Sequence, residues 1–263
     1  MAKSKAEYYF RRYLKIAPLG LALWRSVEAK HLSRIKLPRP ILDVGCGFGE
    51  FALAFVDGKP VDVGIDILAK NLYNTVKTKK YKNLVIGDAR EMPFSDNTFG
   101  SIFSISTYEH ITHPDKLLKE SYRVLRPGGI IFLTLETDEV DLNTFYRPLF
   151  KKIGIGSFSK WCTQSYNRIF HRQTLLSKKE WIEKIKNAGF VIEKQQSIIT
   201  PKVTKLFDIF LLTSWPAQLF YPLLGKRFVF RPPFAVDILT KLFVKYVEEE
   251  EKEGTNLLVI ARK

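Results

Sequence analysis

The run ILDVGCGFGE, residues 41–50, decides the fold. Its apolar first half has the character of a strand and leads to an acidic residue, Asp43. Three glycines follow, Gly45, Gly47 and Gly49, before a segment with helical character. Glycine permits a tight turn and lets a ligand approach the backbone closely beside a helix N-terminus. The run therefore predicts a strand, a ligand-binding turn and a helix.

Strand-like and helical segments alternate after this turn. The predicted strands are ILDVG (41–45), VDVGID (61–66), NLVIGD (83–88), FGSIFSIS (99–106), GIIFLTLE (129–136), FVIEKQQS (190–197) and NLLVIARK (256–263). The predicted helices lie near 49–56, 68–79, 114–125 and 177–189. Such alternation predicts a mainly parallel sheet that is covered by helices on both faces. We therefore predict an α/β fold with a doubly wound, Rossmann-like seven-stranded sheet.

Short polar and glycine-containing runs predict local features around these elements. RPGG (126–129) suits a tight turn between a helix and the following strand. Ser177 and Glu180 fit a capping box at the start of a helix. EEEEKE (248–253) suits a solvated approach to the last hairpin.

The regions outside the alternation suggest the domain organisation. Residues 1–36 show helical spacing interrupted near Pro18, which predicts an N-terminal helical cover. Residues 37–263 then form the main domain, with an aromatic insertion at 137–176 and a hydrophobic C-terminal insertion at 201–247. Long connections in compact domains tend to be lids or binding loops. We expect the two insertions to build or cover a ligand-binding site.

The second insertion contains LFDIFLLTSWPAQLFYPLL (206–224), which approaches the ~20 apolar residues of a membrane-spanning helix. Asp208, Pro216 and Pro222 interrupt the run and disfavour a span. Two alternatives remain open. The segment lies as an amphipathic element at a membrane interface, or it packs over the sheet and shapes a pocket.

The chain of 263 residues has a formal net charge of +15. Such a charge attracts anionic partners, including nucleic acid and acidic lipid headgroups, although scattered lysines also simply solubilise a surface. Cys46 and Cys162 have no metal-ligand spacing, and no secretory cleavage site follows the basic N-terminus. We expect a cytoplasmic protein, with a peripheral position on the inner face of the membrane as an alternative.

Acidic residues also follow the second and third predicted strands. Asp66 is placed to accept hydrogen bonds from ribose hydroxyls, and Asp88 to accept one from an adenine amino group. Carboxyl ends of parallel strands share one sheet edge, where open α/β folds bind ligands. This predicts a nucleoside cradle. The GxGxG spacing and Glu50, where a third small residue would be expected, disfavour NAD.

These motifs resemble class I S-adenosylmethionine (SAM)-dependent methyltransferases, specifically the type 11 small-molecule group that includes ubiquinone and menaquinone biosynthesis enzymes. The resemblance rests on DVGCGFG, Asp66 and GDAREMPFSDNTFGSIFSISTYEHITHPDKLLKESYRVLRPGG. It implies SAM as the cofactor, with the glycine turn and Asp43 at the methionine portion, Asp66 at the ribose, and Asp88 with Ala89 at the adenine. The full predicted cofactor-binding set is Asp43, Gly45, Cys46, Gly47, Gly49, Asp66, Ile67, Asp88, Ala89 and Ser104.

Methyl transfer needs alignment of the acceptor, and a base where the acceptor must lose a proton. His110 and Glu109, in TYEHITHP after the fourth strand, are the predicted catalytic residues. A structural role for His110 is the alternative, and His113 is expected at a helix cap. Tyr166 and His171 would reach an acceptor only if the aromatic insertion folds over the pocket.

The sequence also bears on which molecule accepts the methyl group. The segment after the fourth strand lacks the [DNS]PP[YFW] tetrapeptide of base-amino methyltransferases, which disfavours nucleic acid. We predict methylation at oxygen or carbon of a small or lipid-linked acceptor, with an anionic membrane surface as a further partner. The alternatives are an RNA or other nucleic-acid methyltransferase and a non-catalytic SAM-binding protein. The oligomeric state stays open.

Overall fold

Seven strands of the described part of the chain join one sheet in the computed structural model, which describes residues 4–155, 157, 173–211 and 229–263. The strands are β1 (Ile41–Val44), β2 (Val61–Asp66), β3 (Tyr81–Ile86), β4 (Phe99–Ile105), β5 (Leu125–Glu136), β6 (Val191–Ile198) and β7 (Asn256–Arg262). Their order is β3-β2-β1-β4-β5-β7-β6. β1 to β5 pair in parallel and β7 runs antiparallel to β5. The predicted doubly wound seven-stranded sheet is confirmed.

Helices connect and flank these strands. They are α1 (Lys5–Leu14), α2 (Leu19–Leu32), α3 (Glu50–Phe55), α4 (Ala69–Thr78), α5 (Pro114–Val124), α6 (Glu139–Asn143), α7 (Tyr146–Lys152), α8 (Lys178–Asn187), α9 (Pro201–Leu211) and α10 (Pro233–Glu248). The capping box predicted at α8 is present. Ser177 Oγ accepts from the Glu180 amide at 3.3 Å, and Glu180 Oε2 accepts from the Ser177 amide at 2.8 Å. Such a cap stabilises a helix by ~1 kcal/mol.

The register of the parallel strands brings their carboxyl ends together. Asp43 in β1 lies opposite Gly64 in β2 and Phe103 in β4. β4 is buried along its whole length, as expected for a central strand covered on both faces. The sheet therefore carries the residues after β1, β2 and β4 to one edge.

The chain divides into two compact units. The sheet unit contains the described residues of 36–138, 170–196 and 256–263. The helical unit contains the described residues of 1–35, 139–169 and 197–255. The N-terminal helices, residues 139–155 of the first insertion and the described part of the second insertion therefore share one unit, whereas the sequence pattern presents them as separate elaborations.

Asp208 is the charged residue that interrupts the apolar run of the second insertion, and its contacts explain why it is there. It is buried in the helical unit, and its Oδ2 accepts from the backbone amides of Phe145 and Tyr146 at 2.8 and 2.9 Å. These amides lie at the start of α7, where helical N–H groups lack intrahelical acceptors. Burial raises the pKa of Asp208, and the two amide hydrogen bonds oppose that shift. No helix among the described residues is long and apolar enough to cross a membrane.

One local prediction was wrong. RPGG does not lie between α5 and the strand but inside β5, where pairing moves from Leu125 opposite Phe99 to Ile130 opposite Ser101. Gly128 has φ 73°, so the run forms an irregularity that a β-branched residue would not adopt.

The acidic run at 248–253 is largely exposed, as predicted for a solvated segment, and it also forms ion pairs. Glu248 ends α10, and Glu250 pairs with Lys30 at 3.1 Å and Arg34 at 2.8 Å. Burial opposes ionisation of Glu250, but the hydrogen bonds from Arg34 and Lys30 outweigh it and lower its pKa to about 2. These carboxylates therefore hold the end of α10 against α2.

Candidate functional site

The glycine turn after β1 is packed against neighbouring backbone. The amides of Gly45 and Cys46 both donate to the carbonyl of Ile65 in β2, at 2.9 and 3.1 Å. Gly45 has φ 76°, and a Cβ there would lie 2.2 Å from Cγ2 of Thr107. Only glycine fits between β2 and the segment that follows β4, so the turn and that segment lie side by side.

Gly47 lies at the open point of the turn. Its amide donates to Oδ2 of Asp66 at 2.9 Å, and its carbonyl accepts from Oγ1 of Thr75 at 2.7 Å. It has φ 53°, and no heavy atom of the described part of the chain lies within 4 Å of its Cβ position. The peptide is therefore held from two sides while its remaining face is open to a ligand.

Asp66 connects the glycine turn to the start of α4. Besides the Gly47 amide, its carboxylate accepts from the Leu68 amide at 2.9 Å and from Nδ2 of Asn71 at 3.0 Å. A carboxylate has about four acceptor sites, so Asp66 retains capacity for a further donor. The next residue, Ile67, is 58% exposed. An acceptor and an apolar face therefore lie next to each other at the edge of the sheet.

Asp43 faces a neighbouring strand. Its carboxylate is buried and accepts from the hydroxyl of Tyr81 at 2.6 Å. The Tyr81 ring passes over Gly64, where a Cβ would lie 2.8 Å from the ring. This hydrogen bond fixes the end of β1 below the glycine turn.

Cys46 and Ser104 are buried parts of the predicted set. Burial first, and then the charges of Asp43 and Asp66, raise the pKa of the Cys46 thiol, so it stays neutral. Ser104 Oγ donates to the carbonyl of Val44 at 2.7 Å. The serine therefore joins the carboxyl ends of β1 and β4.

Asp88 is held by an arginine two residues away. Nη2 of Arg90 donates to its Oδ2 at 2.6 Å, Nε lies 3.0 Å from both carboxylate oxygens, and the Arg90 amide donates to Oδ1 at 2.8 Å. These bonds lower the pKa of Asp88. Nη1 of Arg90 also donates to Oγ1 of Thr112 at 2.8 Å. Arg90 thus links the loop after β3, which includes the buried Ala89, to the segment after β4.

The predicted catalytic residues lie in a 3-10 turn, Tyr108–His110. Glu109 is fully buried, and its Oε1 accepts from the Glu136 amide at 3.2 Å. Its carbonyl accepts from the amides of Gln173 and Thr174 at 3.1 and 2.9 Å. His110 is partly exposed. Glu109 therefore anchors the turn and His110 is its more accessible titratable side chain.

The remaining predicted candidates divide into two groups. His113 precedes Pro114 at the N-cap of α5, as expected. Tyr166 and His171 lie outside the described residues. No group of His, Cys, Asp and Glu side chains among the described residues could hold a metal ion.

Sequence reasoning missed the residues that support Asp66, Gly47 and Asp88. Asn71 and Thr75 are four residues apart, so they share one face of α4, and this spacing could have identified them. Arg90 is two residues from Asp88, and that short separation is also visible in the sequence. Tyr81 had no local signal, because its contact with Asp43 depends on the pairing of three strands.

Two curated relatives align with the chain. It is 30% identical over 161 residues to a sterol 24-C-methyltransferase of Aspergillus fumigatus, covering 57% of this chain and 41% of that protein. It is 31% identical over 157 residues to a ubiquinone/menaquinone biosynthesis C-methyltransferase of Brucella abortus, covering 56% of this chain and 55% of that protein. The alignments thus span about half the length of these relatives.

A solved structure with the same fold is a SAM-dependent methyltransferase from Thermotoga maritima. It superposes with a TM-score of 0.58 at 16% identity, covering 91% of this chain and 89% of that one. At this identity the likeness concerns the fold. Residues 42–133 also match the methyltransferase domain family, and this stretch contains the glycine turn, Asp66 and Asp88. Residues 42–133 therefore carry a methyltransferase domain.

Proposed function

We propose that the protein transfers a methyl group from SAM to oxygen or carbon of a small or lipid-linked acceptor. The observation that carries this proposal is the position of Asp66. Its carboxylate is fixed by Gly47, Leu68 and Asn71, retains an acceptor site, and stands beside an open glycine backbone and exposed Ile67. A fixed hydrogen-bond acceptor, an apolar face and an accessible glycine turn suit the binding of a nucleoside.

The residues at this edge have separate roles in the proposal. Asp66 accepts from a ribose hydroxyl at its remaining acceptor site, and Ile67 and Ala89 contact the adenine ring. Asp88 accepts from the adenine amino group while sharing its carboxylate with Arg90. The glycine turn receives the methionine portion above Asp43. SAM, when bound, supplies a methyl group activated by its sulfonium.

His110 is the proposed base. It lies three residues beyond Thr107, which contacts the glycine turn, so the turn and the 3-10 segment are neighbours. A neutral imidazole nitrogen can accept a proton from an acceptor that must lose one. Glu109 positions His110 through its bonds to Glu136, Gln173 and Thr174.

We assign residues 37–263 to the methyltransferase domain and residues 1–36 to a helical cover. We assign acceptor recognition to the insertions at 137–176 and 201–247.

Two observations support a lipid-linked acceptor. The aligned relatives are named for sterol and for ubiquinone/menaquinone C-methylation, and the helical unit exposes many large apolar side chains. The net charge of +15 supports a cytoplasmic enzyme held at an anionic membrane face.

The cofactor is tested by calorimetric titration of the purified chain with S-adenosylhomocysteine, with NAD as the control ligand. We expect micromolar affinity for the former and none for NAD. Absence of S-adenosylhomocysteine binding would contradict the proposal.

The acceptor is tested by methyl incorporation from labelled SAM into extracted lipids and, in parallel, into total RNA. Label in the lipid fraction supports the proposal. Salt-sensitive label in RNA instead would support the nucleic-acid alternative. Label in a water-soluble small-molecule extract would support a small acceptor, and cofactor binding without label in any of the three fractions would favour a non-catalytic SAM-binding protein.

A further inference from the structure

The helix α10 of the helical unit presents an apolar and basic face. Phe234, Ile238 and Leu242 are 66%, 53% and 56% exposed and are spaced four residues apart. Side chains at this spacing form one stripe on a helix. Lys241 and Lys245 are exposed on the same side of the helix. We call these five residues the α10 stripe.

The opposite side of α10 provides its packing within the unit. Val236, Thr240 and Val247 are buried, and the ring of Phe243 meets that of Phe210 edge to face at 5.5 Å between centroids. The helix already has a buried face against α1 and α2. The α10 stripe is therefore additional exposed apolar surface rather than the core-facing side of the helix.

Both ends of α10 are fixed to other parts of the helical unit. Before the helix, Nη1 of Arg231 donates to the carbonyls of Leu14 and Ala17. At its end, Nζ of the buried Lys30 donates to the carbonyl of Val247 at 2.8 Å, which satisfies a C-terminal helical acceptor. The α10 stripe is consequently held in one orientation.

The charges around the stripe leave it basic at its centre. Asp237, at one border, pairs with Arg11, and Glu248, at the helix end, accepts from Ser4 at 2.6 Å. Lys245 lies with its Nζ 5.0 Å from the centroid of the Tyr246 ring. Lys241 lies near the middle of the helix, between Ile238 and Leu242.

We propose that the α10 stripe docks the protein on an anionic lipid bilayer. The three apolar side chains enter the boundary between headgroups and acyl chains, as in amphipathic helices that lie in the interface. Lysine stems cover apolar surface while their ammonium groups reach outward to lipid phosphates. This arrangement deepens the proposed function, on which it rests, because it names the surface through which the enzyme meets a lipid-linked acceptor.

A second copy of the chain fits the stripe less well. Most homodimers have twofold symmetry, which places the same patch of both subunits against each other. Since Lys241 lies near the helix centre, such packing would bring two Lys241 ammonium groups close together, where like charges repel. Lipid phosphates instead offer charge of the opposite sign.

The test is co-sedimentation of the full chain with vesicles of phosphatidylcholine, with and without phosphatidylglycerol. The wild-type chain should bind the anionic vesicles at low salt and dissociate as salt rises. Phe234→Ser/Ile238→Ser/Leu242→Ser should lower the partition coefficient at least about tenfold. Lys241→Gln/Lys245→Gln should weaken binding to anionic vesicles about tenfold and leave neutral vesicles unaffected.

Matched controls change the same kinds of residue on the sheet unit. Tyr73→Ser/Val76→Ser/Val191→Ser removes three exposed apolar side chains there, and Lys119→Gln/Lys186→Gln removes the same charge as the stripe variant. Both controls should bind vesicles as the wild type does. The proposal is overturned if the wild type fails to bind anionic vesicles at low salt, or if the stripe and control variants bind equally.

Titration of every variant with S-adenosylhomocysteine separates this proposal from the proposed function. Unchanged cofactor affinity together with an unchanged thermal unfolding transition in the stripe variants shows that both units fold, so lost vesicle binding then reports on the surface alone. Normal vesicle binding by a chain without affinity for S-adenosylhomocysteine would instead contradict the proposed methyl transfer and would still support the α10 stripe as the docking surface. A dimer in sedimentation velocity that the stripe variants abolish, without vesicle binding, would overturn the bilayer as the occupant.

Discussion

Replacing Asp66 with alanine removes a side chain that links the glycine turn, the end of β2 and the start of α4. Three donors lose their acceptor, namely the amides of Gly47 and Leu68 and the side-chain amide of Asn71. A bound nucleoside would also lose its acceptor for the ribose. The substitution therefore affects both the free energy of unfolding and the affinity for S-adenosylhomocysteine.

The expected loss of affinity follows from the hydrogen bonds. A ribose hydroxyl that takes the remaining acceptor site of Asp66 donates to a carboxylate, a hydrogen bond worth about 1–3 kcal/mol, so Asp66→Ala should weaken binding by that amount. This corresponds to an increase in Kd of roughly 5- to 150-fold. The free energy of unfolding should fall by a similar amount, because the three internal donors lose a charged acceptor.

Asp62 provides a matched control on the same strand. Its carboxylate accepts from Arg39 at 2.6 Å, from Lys82 at 2.7 Å and from the Ile41 amide at 2.9 Å, but it lies at the amino end of β2. Asp62→Ala should destabilise the fold comparably and leave affinity unchanged within about twofold. Titration calorimetry and urea unfolding measure both quantities. Wild-type affinity in folded Asp66→Ala, or an equal loss of affinity in Asp62→Ala, would refute the reasoning.

Gly45→Ala should lower the free energy of unfolding by more than about 2 kcal/mol, because its φ of 76° is strained for alanine and its Cβ would overlap a side chain. Gly47→Ala should cost only about 1 kcal/mol of stability but reduce S-adenosylhomocysteine affinity about tenfold, since its Cβ enters open space. Thermal unfolding and calorimetry distinguish the two. His110→Ala should lower the methyl-transfer rate about 100-fold without changing cofactor affinity, and an unchanged rate in a labelled-SAM assay would remove it as the base. Hydrogen bonds from Arg90 lower the pKa of Asp88 in the folded chain. The pair therefore stabilises the fold at pH values above the ordinary carboxyl pKa of ~3.9, and this stabilisation is lost as the pH falls through the lowered pKa of Asp88. Arg90→Gln should therefore reduce the loss of stability on acidification, as measured by urea unfolding at about pH 5 and about pH 3.

The sheet could be predicted from sequence because its signals are local. Pro38 and Pro40 mark the approach to β1, which begins at Ile41, and apolar strands alternate with helical segments from there onward. The acidic residues at strand ends then follow from topology, since parallel strands bring Asp66 and Asp88 to the same edge. The capping box at Ser177 was predictable for the same reason, because both partners lie within one helical turn.

Contacts between distant segments could not be predicted. Asp208 reads as an interruption of an apolar run, and only the fold places it at the amides that begin α7, more than 60 residues earlier. Lys30 and Glu250 likewise meet across more than 200 residues. Hydrophobic periodicity describes one element at a time, whereas these contacts depend on which elements meet.

The choice between Glu109 and His110 as the base also depends on contacts between distant segments. In sequence it is equivalent to His110, because both are titratable and both follow β4. The fold separates them, since the Glu109 carboxylate faces the Glu136 amide and its carbonyl receives two amides from residues 173–174. A carboxylate that is fully buried and used to hold backbone cannot readily exchange a proton with an external acceptor. We therefore propose His110 rather than Glu109 as the base, because Glu109 is the fully buried side chain of the two.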